Sequence, residues 1–269
     1  MQWLQHGAAR TACARSGDGP PLLLLHGAEA SHRMFDRLVP LLKPHFTVVA
    51  YDQRDCGDSH GADAPATLAD LAQDAADVLH ALGMAPAHVF GTSFGGRVAQ
   101  ALALLHPQSV RRLALASTWP LPAALEDLHP GYAALRALRA RLPGSAEELA
   151  GWFFPEPFLQ QQPQLRQIFA AADSDGARAR RRAAALRDAT LRSDAAGIAA
   201  PTLLLAGALD RVVPPALTLG MAERLPDARG VLLEQVGHVA ALQSPALLAA
   251  HLVAFFLDPP PPRGPHPAT

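Results

Sequence analysis

Cysteine, lysine and aromatic residues are scarce in this chain of 269 residues, which holds two cysteines, a single lysine and 6% aromatics. Two thiols, Cys13 and Cys56, cannot make the disulfide framework of a small secreted domain, so both are expected to be free in a reducing, cytoplasmic compartment. An excess of one charge is also missing. Lysine and arginine total 23 against 24 acidic residues, a formal net charge of −1, which removes the electrostatic ground for binding nucleic acid. No apolar run approaches the roughly 20 residues of a membrane span. The run 22–25 ends at His26 and Gly27, and residues 1–15 hold no apolar stretch of secretory length. A water-soluble chain with neither a nucleic-acid nor a membrane partner is expected, with its oligomeric state open.

What is present is apolar: 49% hydrophobic against 17% charged residues, enough for one sizeable core and too much for a disordered chain. Short apolar runs at 22–25, 47–51, 88–90, 112–116, 202–206 and 231–234 alternate with helical periodicity at about 67–82, 94–106, 216–225 and 245–257. Residues 2–4 and 10–15 add an opening antiparallel pair, with Gly17, Asp18, Gly19 and Pro20 as a turn. The expected fold is α/β: a mostly parallel sheet of about eight strands with helices on both faces. Between 119 and 199 the alternation stops. No strand-like run occurs there, only proline-punctuated helical sequence, so a helical cap is expected over the carboxyl ends of the strands, where open α/β sheets bind ligands. The core is then 1–118 with 200–258, and the proline-rich residues 259–269 are expected to form a disordered tail.

The chemistry is concentrated at Gly91-Thr92-Ser93-Phe94-Gly95, between a short apolar strand and a helix. A serine on so sharp a turn needs glycine two residues to either side, because strand and helix backbones approach there, and the turn lifts the Ser93 hydroxyl above the sheet. The plain alternative is a glycine-rich helix start with Ser93 as its cap. A serine nucleophile also needs a base and an acid that orients it. Asp210 follows the run 202–206 and His238 follows the run 231–234, so adjacent strand ends bring the two together. The run 112–116 continues into Ser117-Thr118-Trp119-Pro120 and offers no acid. A tetrahedral intermediate needs two N–H donors. Phe94 is expected to supply one and Ala28, after His26-Gly27, the other, with the Gly27 N–H as the alternative. His26 is expected to hold that loop by hydrogen bonding.

On these residues the chain resembles the α/β-hydrolase superfamily over nearly its whole length. His26-Gly27 with Arg33-Met34-Phe35-Asp36, and Asp52-Gln53-Arg54-Asp55-Cys56-Gly57-Asp58-Ser59, look like small bacterial carboxylesterases and are similar to 3-oxoadipate enol-lactonases and cofactor-free haloperoxidase-type members. The resemblance implies that the Asp52–Ser59 segment is a structural turn. Ala28 stands where the family often carries an aromatic residue and Phe35 where Trp is common, so no particular lactonase or haloperoxidase activity is carried over.

The expected activity is cleavage of a small, largely apolar carboxylic ester or lactone through Ser93, His238 and Asp210 and an acyl-enzyme, with no metal or organic cofactor. Serine at position 93 argues against dehalogenase or epoxide hydrolase chemistry, where the nucleophile is a carboxylate. Hydrolysis of a C–C bond, cofactor-free lyase or perhydrolase chemistry on the same triad, and a non-catalytic receptor remain alternatives. Trp119, Trp152, Phe153, Phe154, Phe158 and Phe169 are candidates for the substrate pocket, and the arginines at 178, 180, 181, 182 and 187 read as a solvated helix face.

Overall fold

The computed structural model describes residues 2–6, 9–28, 30–61, 64–170, 176–188 and 190–258; the expected proline-rich tail at 259–269 lies outside them. Eight strands form one sheet: β1 (Gln2–His6), β2 (Ala9–Ser16), β3 (Pro21–Leu25), β4 (Thr47–Tyr51), β5 (Ala87–Thr92), β6 (Val110–Ala116), β7 (Thr202–Gly207) and β8 (Ala228–Leu233). Their spatial order is β1-β2-β4-β3-β5-β6-β7-β8. The β1–β2 and β2–β4 pairs are antiparallel, and the others are parallel.

The helices are α1 (Val39–Leu42), α2 (Leu68–Ala81), α3 (Phe94–Leu105), α4 (Leu125–Leu128), α5 (Tyr132–Ala140), α6 (Ala146–Phe153), α7 (Glu156–Gln161), α8 (Ala177–Leu186), α9 (Pro215–Leu219), α10 (Ala240–Gln243) and α11 (Pro245–Leu257). Alternation along the central strands explains the two helical layers, since successive side chains leave opposite faces. Leu23, Leu25, Val89, Leu113, Leu115 and Leu204 pack with α2 and α3. Leu22, Leu24, Phe90, Ala114, Leu203 and Leu205 pack with Phe46 and α11. Strands covered on both sides read as continuous apolar runs, which is why they stand out in the sequence.

Two expected elements differ. The last strand begins three residues before the run at 231, because Ala228, Arg229 and Gly230 lie on the sheet's edge, where burial does not demand apolar residues. The helix expected over 216–225 is instead α9 followed by a 3-10 turn, Gly220–Glu223.

Between β6 and β7 the described residues form α4 to α8 and two 3-10 turns, with no strand. Their apolar faces close on one another and on the core's Val212, Val213 and Val239. The basic stretch is a solvated face only in part: Arg180 and Arg187 are exposed, but the other three arginines are engaged. Arg178 donates to the Gly57 and Ser59 carbonyls, Arg182 donates to the Asp55 carbonyl, and Arg181 forms a two-pronged pair with the Asp55 carboxylate at 2.9 and 2.6 Å. These contacts tie α8 to the loop after β4. No described helix is long and apolar enough to cross a membrane.

Candidate active site

The turn from β5 into α3 is as tight as its glycines imply. A Cβ on Gly91 would lie 2.4 Å from the Gly95 carbonyl oxygen, and one on Gly95 would lie 2.2 Å from the Leu25 oxygen. Ser93, between them, has φ 54° and ψ −122°. Non-glycine residues avoid this region at a cost of about 1–3 kcal/mol, and it persists only where surrounding bonds enforce it. Here the Ser93 N–H donates to the Ala116 oxygen at 2.9 Å, and the Ser93 oxygen accepts from the Gly96 N–H at 3.0 Å and the Thr118 hydroxyl at 2.8 Å. The side chain makes no capping bond, so the plain reading of Ser93 as a helix cap fails.

The hydroxyl instead meets His238, whose Nε2 lies 3.0 Å from Ser93 Oγ. On the other side of the ring, Nδ1 is 2.9 and 3.1 Å from the two Asp210 carboxylate oxygens. The Val212 and Val213 N–H groups, each at 2.9 Å, fix Asp210 Oδ1. With the carboxylate accepting from Nδ1–H, Nε2 carries the lone pair toward the serine hydroxyl. Both Asp210 and His238 are buried. The loop bearing His238 is held by residues that no motif marks. The Gln243 side chain accepts from the Gly237 N–H at 2.8 Å and donates to the Gln235 oxygen at 2.7 Å, while the Phe153 carbonyl accepts from the His238 N–H at 2.8 Å. The Phe153 ring also stands edge-on to the imidazole, 5.1 Å away at 88°.

His26 is fully buried, and burial lowers its pKa to about 4, which leaves the neutral ring. Its Nδ1–H donates to the Gly27 oxygen at 2.7 Å, and Nε2 accepts from the Gln53 N–H at 3.0 Å. Because a trans peptide sets C=O and N–H in opposite directions, anchoring the Gly27 oxygen turns the Ala28 N–H away from the ring. The Phe94 N–H, in the first turn of α3, has no intrahelical acceptor. The Asp52–Ser59 segment braces this loop: Asp52 accepts from the His32 N–H at 2.6 Å, the His32 ring at 2.7 Å and the Asp58 N–H at 2.8 Å.

A cavity of about 600 Å3 opens over Ser93 and His238, bordered by Ala28, Met34, Phe153, Phe154, Ile168 and Phe169 among others. Of the expected pocket aromatics, Trp119, Trp152 and Phe158 do not border it. Trp119 lies under the Arg97 guanidinium and donates from Nε1 to the Ala123 oxygen at 3.1 Å. Trp152 packs between His129 and Arg211, and Phe158 backs Phe154 at 5.7 Å. Trp119 and Trp152 thus join the insert to Arg97 and Arg211 of the core, and Phe158 packs within the insert itself. Phe94 borders a separate narrow void shared with Ala28 and Gln53. Arg33, Arg139, Leu165 and Ile168 also border the main cavity, and nothing in their local sequence marks them. A second cavity, about 590 Å3 and bordered by Arg112, Asp227 and Phe255, lies elsewhere and includes none of Ser93, Asp210 and His238.

A family model described as the alpha/beta hydrolase fold matches residues 20–168, and one described as TAP-like protein matches residues 178–266. The chain belongs to the α/β-hydrolase fold family. Among relatives of this α/β-hydrolase, a Yersinia enterocolitica protein named carbamate hydrolase RutD is 30% identical over 243 residues, covering 88% of this chain and 87% of that protein. A pimeloyl-[acyl-carrier protein] methyl ester esterase of Neisseria meningitidis is 34% identical, covering 84% and 89%. A solved hydrolase structure from Pseudomonas aeruginosa superposes with a TM-score of 0.76 at 31% identity, covering 95% of this chain and 97% of the other. This α/β-hydrolase is therefore a hydrolytic enzyme.

Proposed function

We propose that the protein is a serine hydrolase that cleaves a carboxylic ester or lactone of a small, largely apolar substrate. The observation that carries this reading is the unbroken hydrogen-bond chain from Ser93 Oγ through His238 to Asp210 at the floor of an apolar cavity. In the reaction, Ser93 Oγ attacks the carbonyl carbon as its proton passes to His238 Nε2. The oxyanion accepts from the Phe94 and Ala28 N–H groups. His238 returns the proton to the departing alcohol, then takes one from a water that attacks the acyl-enzyme and hands it to Ser93 Oγ as the acid is released. Asp210 holds the imidazole and balances its transient charge.

Residues 119–199 act as the cap over a core of 1–118 and 200–258. The free thiols Cys13 and Cys56 suit a cytoplasmic setting. A cavity of this size accommodates several carbons on the acyl or alcohol side.

The test is turnover of p-nitrophenyl esters by the parent and by Ser93→Ala, together with labelling by a fluorophosphonate. A loss of at least about 10⁴-fold and labelling confined to the parent are expected. Undiminished turnover in the variant overturns the assignment. Absence of both labelling and turnover in the parent favours a receptor, and turnover of β-diketones in place of esters favours C–C hydrolysis.

A further inference from the structure

The last turn of α6 reaches both partners of Ser93. On the side of the base, the His238 N–H donates at 2.8 Å to the carbonyl of Phe153, the final residue of α6. A carbonyl at a helix C-terminus has no intrahelical donor, so this oxygen takes its bond from outside the helix. Gly237 permits the approach: a Cβ there would lie 2.6 Å from the Phe153 oxygen and 2.9 Å from Pro155 Cδ. The backbone of Gly237 is not left-handed, so glycine is required here by the closeness of the insert and not by a turn. From the opposite side β7 presses as near, since a Cβ on Gly207 would lie 2.3 Å from the Gly237 oxygen. The peptide leading into His238 is thus held between core and insert.

On the side of the acid, the same turn grips the loop of Asp210. The Trp152 ring lies 4.8 Å from the Arg211 guanidinium, and Arg211 donates to the Gly151 oxygen at 3.4 Å. His129 closes this contact. Its Nδ1 accepts from the Gly131 N–H at 3.2 Å, which leaves Nε2–H to donate to the Arg211 carbonyl at 3.1 Å. Arg211 leads directly into Val212 and Val213, whose N–H groups fix the Asp210 carboxylate. Acid and base come from two separate loops of the core, and Gly151, Trp152 and Phe153 touch both.

We infer that the end of α6 is a positioning element for the Asp210–His238 pair. With the insert seated, the imidazole stands in line with Ser93 Oγ, and Trp152 and Gly237 set that alignment from outside the cavity, which neither of them borders. This inference rests on the ester-hydrolase reading above and gives the insert a part in arming the base besides roofing the site.

The experiment measures kcat and KM separately on p-nitrophenyl butyrate, with the urea midpoint and the proton resonance of the Asp210–His238 hydrogen bond for each preparation. Trp152→Ala and Gly237→Ala are each expected to lower kcat by about 10- to 100-fold, the effect of a misplacement near 1 Å, with KM within about threefold of the parent and the resonance broadened or lost. Trp152→Phe, which keeps a ring beside Arg211, returns kcat to within about threefold of the parent. Leu159→Ala, buried in α7 and outside this turn, lowers the urea midpoint but leaves kcat within about threefold, so a general loosening of the insert is told apart from loss of alignment. If Gly237→Ala fails to fold, the two Trp152 variants decide. Parental kcat in folded Trp152→Ala, or a Leu159→Ala enzyme that loses kcat to the same degree, overturns the inference while the ester-hydrolase reading stands. A parent that leaves the ester intact overturns both.

Discussion

Replacing Gly95 by alanine is a test of how closely the helix after Ser93, the proposed nucleophile, must approach β3. The added Cβ would sit 2.2 Å from the Leu25 oxygen and 2.5 Å from the His26 oxygen. Both are main-chain atoms at the strand end that leads into the Ala28 loop, so neither can swing aside. Restoring van der Waals contact at about 3.4 Å moves the first turn of α3 roughly 1 Å from β3, at an overpacking cost of about 1–3 kcal/mol. That movement separates the two proposed oxyanion donors, and misplacement on this scale lowers rates by about 10²-fold. The assay measures kcat/KM on p-nitrophenyl butyrate and the urea midpoint on the same preparation. A folded variant with about 100-fold lower kcat/KM is expected. Gly151→Ala, in α6 where a Cβ meets nothing within 4 Å, serves as the opposite case and should gain about 0.5–1 kcal/mol from helix propensity. A Gly95→Ala enzyme within threefold of the parent would refute the reasoning.

The buried His26 makes the fold acid-sensitive. Its pKa is about 4 when folded against an ordinary 6.5, so the unfolded chain binds the extra proton between those values. Stability is therefore full above pH 6.5 and falls as pH drops toward 4, by about 3 kcal/mol for this one group. Urea midpoints across pH 4 to 7 measure the slope, and a flat profile contradicts the assignment. Asp55→Asn tests the attachment of α8 to the loop after β4: asparagine tolerates the φ of 60° at this position but cannot pair ionically with Arg181. Faster amide exchange in α8 and residues 54–59 is expected, with a loss of about 1–3 kcal/mol, and unchanged exchange would show that the pair does not hold the helix.

The sheet was legible because its central strands are buried on both faces and so are written in short runs rich in leucine, valine and alanine. Only the start of the edge strand β8 was not, since Arg229 and Gly230 are exposed at the sheet's edge and obey no apolar rule. Ser93, Asp210 and His238 stood out because each follows a recognisable run, and their positions at strand ends are local properties. The role of the arginines in α8 was hidden, because their acceptors at Asp55, Gly57 and Ser59 lie about 120 residues earlier. The aromatic residues of the insert posed a similar problem. Periodicity tells that Trp152 and Phe153 are both apolar, but not which of two adjacent rings faces the cavity. Gln53 acts through the His26 carbonyl, 27 residues earlier, and Gln243 through main-chain atoms of Gly237 and Gln235, six and eight residues earlier, which place no demand on the residue types there.

The helix that follows Ser93 also carries the attachment of the insert. Arg97 donates to the Pro120 and Ala123 carbonyls, and burial lowers its pKa to about 10; Gln100 donates to the Trp119 oxygen at 3.0 Å and accepts from the Leu121 N–H at 3.0 Å. Every partner in that set is a main-chain atom. Apart from the Trp119 ring under the Arg97 guanidinium, such a socket asks only that residues 119–123 keep their backbone path, so the rest of the insert can be rewritten for a new substrate while its attachment to α3 stays in place. For an engineer, Arg97 and Gln100 mark the seam at which one roof can be exchanged for another.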